Sequence, residues 1–83
     1  MKILYFAWLR TRTGLAEETV DPPTEISTVA NLLDWLKQRS ERHSEALSDL
    51  SVVRVAINQE YAELDATIEP EDEVALFPPV TGG

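Results

Sequence analysis

Phe77-Pro78-Pro79-Val80-Thr81-Gly82-Gly83 closes the 83-residue sequence, and its final two residues are two of only three glycines in the chain. The chemistry available there is narrow. Neither glycine has a side chain, so the pair offers bare backbone and, on Gly83, one α-carboxylate. Such a group, with a pKa of about 3.3–3.7, is ionised at neutral pH and is a poor electrophile. It reacts only after activation, for example as a mixed anhydride with AMP. A partner that activates it must take the tail into a slot, and the missing Cβ atoms let the walls approach the backbone. Pro78 and Pro79 favour extended polyproline geometry and cannot continue a hydrogen-bonded ladder, so they hold a slender tip on a stiff base. The alternative for the same residues is an idle, frayed end.

Other reactive groups are scarce. The chain has no cysteine and one histidine, which leaves no thiol chemistry and gives His43 no companion for a zinc site. His43 is expected at the surface or at a helix end. Residues 60–73 hold seven acidic residues and no basic one. Glu69, Glu71, Asp72 and Glu73 are the candidate metal set within them. Neighbours on one turn converge poorly and hard cations need several converging oxygens, so a solvated acidic surface is the preferred reading and no bound metal or cofactor is expected. The net charge of −8 argues against sequence-independent nucleic-acid binding and against anionic membrane surfaces. No apolar run approaches the length of a membrane span and no signal-like segment is evident. A soluble, cytoplasmic protein is expected.

The elements that must present the tail follow from hydrophobic periodicity. Residues 2–8 read as a central strand, with Ile3, Tyr5 and Ala7 on one face and Leu4, Phe6 and Trp8 on the other. Residues 9–16, with Gly14, read as a turn, and a short polar edge strand at 17–21 completes a hairpin. Ser27 or Thr28 caps a helix whose apolar stripe is Val29, Leu32, Leu33 and Leu36. Lys37, Arg39 and Arg42 gather near its end, where they suit the helix dipole as solvated charges. A short second helix is expected at 44–50. Residues 52–58 form a strand with Val53, Val55 and Ile57 on the core side and Arg54 and Ala56 on the wetter side. Asn58-Gln59-Glu60 is a turn, Pro70-Glu71-Asp72 another, and 73–77 the last strand. Its Val74 and Leu76 face the core, while Glu73, Ala75 and Phe77 face away. One main helix cannot cover both sheet faces, so Leu4, Phe6, Trp8 and Phe77 are expected to form an open apolar patch beside the tail, the mark of a partner surface. Loops folded over that face are the alternative.

Strand, strand, helix, short helix, strand, acidic turn, strand and diglycine is the order of an α+β, ubiquitin-like β-grasp fold, a mixed sheet of four to five strands. The stretches Tyr5-Phe6-Ala7, Leu9-Arg10, Val55-Ala56-Ile57-Asn58-Gln59, and Asp72-Glu73-Val74-Ala75-Leu76-Phe77-Pro78-Pro79-Val80-Thr81-Gly82-Gly83 resemble the family of molybdopterin synthase small subunits over essentially the whole chain. The resemblance implies a sulfur carrier for molybdenum cofactor biosynthesis, with a globular domain over 1–78 and a flexible tail over 79–83. An ATP-dependent adenylating enzyme would activate Gly83, and sulfur would replace the adenylate to give a thiocarboxylate. The tail would enter the large synthase subunit, which supplies the catalytic groups, in an assembly of two small and two large subunits. Two sulfurs would pass to cyclic pyranopterin monophosphate. The resemblance also implies partner contacts by Phe6, Arg10, Tyr61, Phe77, Pro78, Pro79, Val80 and Thr81, with Gly82 giving the tail access to its slot. Without cysteine, the chain has only its carboxylate on which to carry sulfur. A carrier for thiamine synthesis or tRNA thiolation, and a modifier joined to protein lysines, are the alternatives.

Overall fold

The first strand, β1 (Lys2–Tyr5), is shorter than its apolar run suggests. The computed structural model describes residues 1–79, so the tail positions Val80, Thr81, Gly82 and Gly83 lie outside the described residues. After Tyr5 the chain turns sharply, with Ala7 at φ 54°, and enters α1 (Trp8–Thr13). Trp8 therefore belongs to a helix, not to the strand face, and Ala7 is exposed and does not face the core. The stretch expected as a turn is this helix. Leu9 anchors it in the core, Thr13 Oγ1 donates to the Leu9 carbonyl at 2.9 Å, and Gly14 closes it in the left-handed conformation at φ 78°. A side chain on Gly14 would be strained there and would also meet the Arg42 guanidinium at 2.7 Å.

The edge strand β2 (Glu17–Thr19) pairs antiparallel with β1 and ends two residues earlier than expected. Thr28 is the cap of α2 (Val29–Lys37), accepting from the Asn31 amide at 3.2 Å. All four stripe residues, Val29, Leu32, Leu33 and Leu36, are buried. The second helix, α3 (Glu41–Ala46), starts earlier than its apolar residues indicate because Ser40 caps it, accepting from the His43 amide at 3.2 Å. Leu47 is buried just past its end, whereas Leu50 is only partly covered. A 3₁₀ turn at Leu50–Val52, fastened by Asp49 Oδ1 accepting from the Ser51 amide and hydroxyl, takes Val52, which was expected to open the third strand.

That strand, β3 (Arg54–Ile57), turns through Asn58 and Gln59 into β4 (Glu60–Ala62). Both turn residues have positive φ, 50° and 72°, the conformation that joins strands through a two-residue loop. β4 lies in the acidic stretch and was not expected as a strand. The last strand, β5 (Glu73–Phe77), has the expected bounds. It pairs parallel with β1 and antiparallel with β3, giving the sheet order β2-β1-β5-β3-β4, the β-grasp arrangement.

Ile3, Tyr5, Val55, Val74 and Leu76 line one face of the sheet and pack with Leu9 of α1, the α2 stripe and Leu47 in a single core. Among the described residues there are three α-helices where one main helix and a short second were expected. They all join that core, so the opposite face keeps its exposure. No helix among the described residues is long and apolar enough to cross a membrane.

Candidate functional site

The root of the tail is set by β5, which runs down the middle of the sheet and ends at Phe77. Alternation sends Val74 and Leu76 into the core at 0% exposure and leaves Ala75 and Phe77 half-buried on the other face. Pro78 and Pro79 follow outside the ladder. Register places Ala75 beside Leu4 and Ala56, and Phe77 beside Arg54. Tyr61, opposite Ala56 on β4, meets Phe77 edge to face with ring centroids 5.6 Å apart. The Phe6 amide donates to the Leu76 carbonyl at 3.1 Å, which carries β1 one step past its last pair and sets Phe6 alongside Phe77. Phe6 is 48% and Tyr61 74% exposed. Register puts Leu4, Ala56, Tyr61, Ala75 and Phe77 on one sheet face, with Phe6 at its end, and the chain leaves the sheet from there.

Of the expected contact residues, the structure thus brings Phe6, Tyr61, Phe77, Pro78 and Pro79 to one place. Phe77 lies on the face away from the core, as expected, but is half-buried there with the Tyr61 ring against one side of it. Arg10 is exposed on α1, and its side chain makes no hydrogen bond or ion pair among the described residues. Arg54, Ala56 and Ala75 belong to the same face and were not singled out as contacts. The signal was present in the sequence, since strand alternation had already put all three on the side away from the core.

The charged residues around α2 and α3 are not merely solvated. Arg42 Nε donates to the Arg12 carbonyl at 3.1 Å and Nη2 to the Thr11 carbonyl at 3.4 Å, closing the C-terminal end of α1. Arg39 pairs with Glu18 at 3.2 Å and lies over the Trp35 ring. His43 lies in the last turn of α3, at a helix end as expected, but is only 6% exposed and so not a surface residue. Its Nε2 is 2.7 Å from Glu18 Oε2, to which the Tyr5 hydroxyl also donates at 2.7 Å. Ser40 Oγ is 2.7 Å from His43 Nδ1. A carboxylate acceptor requires the proton on Nε2, leaving Nδ1 to accept from Ser40. Nothing in the local sequence signals this cluster, because Glu18 and His43 are 25 residues apart.

Burial alone would push the Glu18 carboxyl up. The hydrogen bonds from His43 and Tyr5 and the charge of Arg39 outweigh it and hold the group below the usual glutamate range. Burial, reinforced by the Glu18 carboxylate, pushes the Tyr5 phenol far up, so it stays a donor. Because folding lowers its pKa, Glu18 gives up its proton more readily in the folded chain. Its contribution to stability is therefore complete above about pH 4–5, where unfolded glutamate is ionised, and is lost as pH falls through the folded value. Glu18→Gln should flatten the acid limb of stability against pH, read as urea midpoints from neutral to acid conditions. An unchanged acid limb would show that Glu18 does not carry it.

In the acidic stretch, Asp72 is engaged internally. Its Oδ1 accepts from Asn58 Nδ2 at 2.9 Å and its Oδ2 from the Glu69 amide at 2.7 Å. Among the described residues no group of three or more acidic or histidine side chains is arranged to hold a metal ion. The apolar face can bind a partner.

Three comparisons bear on this site. The ThiS family pattern matches residues 3–83. The molybdopterin synthase sulfur carrier subunit of Homo sapiens is 34% identical, with 100% of this chain and 93% of that protein covered. The subunit of the same name from Dictyostelium discoideum is 39% identical, with coverages of 99% and 94%. Among solved structures, that of Haloferax volcanii small archaeal modifier protein 1 superposes with a TM-score of 0.69 at 28% identity, covering 96% of this chain and 97% of the other.

Proposed function

From the premise that this chain belongs to the ThiS family of ubiquitin-like sulfur carriers, we propose that it is the sulfur carrier subunit of a molybdopterin synthase. The observation that carries the reading is full-length similarity to subunits of that name, reaching through a tail that leaves the sheet from an apolar face. The Gly83 carboxylate attacks the α-phosphorus of ATP on an adenylating enzyme and pyrophosphate leaves. A sulfur nucleophile then displaces AMP, and the product is a thiocarboxylate. The small side chains of the tip suit a narrow slot in the large subunit, where sulfur passes to cyclic pyranopterin monophosphate. Gly83 is the carrier and Gly82 provides access. Pro78, Pro79, Val80 and Thr81 bridge the docking face to the tip. The chain itself binds no cofactor, and the process runs in the cytoplasm.

Phe6, Tyr61 and Phe77 dock on the large subunit, with Arg10 at the rim. Phe77→Ala should weaken that complex by more than about 1 kcal/mol, as loss of an aromatic anchor does, with a smaller loss of thermal stability. Calorimetric titration that returned an unchanged affinity would remove Phe77 from the interface.

The likeness to a small archaeal modifier protein supports a second reading, in which a lysine amine displaces AMP to form an isopeptide bond. Reconstitution separates the two. With purified large subunit, adenylating enzyme, ATP, sulfide and precursor, a carrier yields molybdopterin and no higher-mass species on denaturing electrophoresis. Conjugate ladders without molybdopterin would favour the modifier.

A further inference from the structure

Arg54 stands apart from the other charges of this chain. From residue 43 to the end the sequence holds nine acidic side chains and a single Lys or Arg, which is Arg54. The fold puts it in register with Phe77, on the open face where the tail departs. It is exposed there, amid Ala56, Ala75 and the Tyr61–Phe77 pair. Its Nη1 donates to the Ser51 and Val53 carbonyls at 3.0 and 3.1 Å, which orders the guanidinium. Glu63 lines the same groove beside β4, yet among the described residues no carboxylate pairs with Arg54.

We infer that Arg54 is a specificity residue of the docking face and that the large subunit meets it with a carboxylate. The inference rests on the proposed docking of this face. A partner that covers Phe77 also covers Arg54. Desolvating a guanidinium costs several kcal/mol in general unless an acid receives it. An arginine fork is matched best by a carboxylate through two parallel hydrogen bonds. The long-range field of a chain at −8 draws basic surfaces. A local acid opposite Arg54 would therefore fix register within the complex, because a partner displaced along the sheet would leave both charges unpaired.

Titration of the large subunit with wild type, Arg54→Ala, Arg54→Lys, Arg54→Glu and Phe77→Ala tests this, with melting temperatures as the folding control. Arg54→Ala should bind about 30-fold or more weakly, the loss expected when a paired interfacial charge is truncated. Arg54→Glu should bind more weakly still. Arg54→Lys should fall between wild type and Arg54→Ala, since it keeps the charge but not the fork. Should Arg54→Ala fail to fold, the Lys and Glu variants decide: a large gap between them is the expected result. Wild-type affinity in Arg54→Glu, with Phe77→Ala weakened, would overturn the inference and leave the docking reading standing. Wild-type affinity in both would overturn the two together. If Arg54→Glu slowed only adenylation, the acid would lie on the activating enzyme and the inference would likewise fail.

Discussion

Deletion of Gly83 should abolish molybdopterin formation and leave the fold unchanged. The shortened chain still ends in a glycine carboxylate of ordinary acidity, so the group's chemistry is preserved and only its reach is altered. One residue spans up to about 3.3–3.6 Å. Reaction needs the two atoms within about 3–3.5 Å, so a tip held at its root by the docked sheet face stops a bond length or more short of ATP. Stability should not follow activity, because the core members on β5 are Val74 and Leu76, well before the deletion. Binding to the large subunit should survive to the extent that the Phe77 face supplies the affinity. Gly82→Val separates reach from fit: length and charge are kept, and a branched Cβ is placed against the slot. Product at the wild-type yield from the Gly83 deletion would make the diglycine an idle end.

The contrast between tail and core also shows what could be seen in the sequence. The α2 stripe, the alternation in β3 and β5, and the diglycine were legible because each is a local pattern of one period. The short β4 was hidden, since Glu60-Tyr61-Ala62 lies in an acidic run and its pairing depends on positive φ at Asn58 and Gln59. The strand-to-helix change at Ala7 was hidden too. Trp8 and Leu9 suit a strand by propensity, and what overrides them is burial of Leu9 and the cap at Gly14. The Tyr5–Glu18–His43 cluster joins three elements distant in sequence and has no local signature. The open face was readable as a set of residues, but the Tyr61–Phe77 contact required the register of three strands, β4, β3 and β5.

Leu33→Ala carries the largest expected loss of stability. Leu33 is 1% exposed within the α2 stripe, so truncation removes buried methyl groups and leaves a cavity, typically costing 2–5 kcal/mol. Against a usual total of about 5–15 kcal/mol, that is a large share for so small a domain. The melting temperature should fall by roughly 10 °C or more. At low temperature, where the variant is still folded, the tail should accept sulfur normally, because the helix stripe lies on the face opposite the docking surface. A Leu33→Ala variant with the wild-type melting temperature would contradict the placement of Leu33 in the core.

The central claim is that sulfur rides on the Gly83 carboxylate. Intact-mass measurement after incubation with adenylating enzyme, ATP and a sulfur source addresses it most directly. The account predicts a mass increase equal to replacement of one oxygen by sulfur, located by fragmentation to Gly83, dependent on ATP and reversed once large subunit and precursor are added. An unchanged mass under conditions in which molybdopterin is nevertheless formed would contradict it.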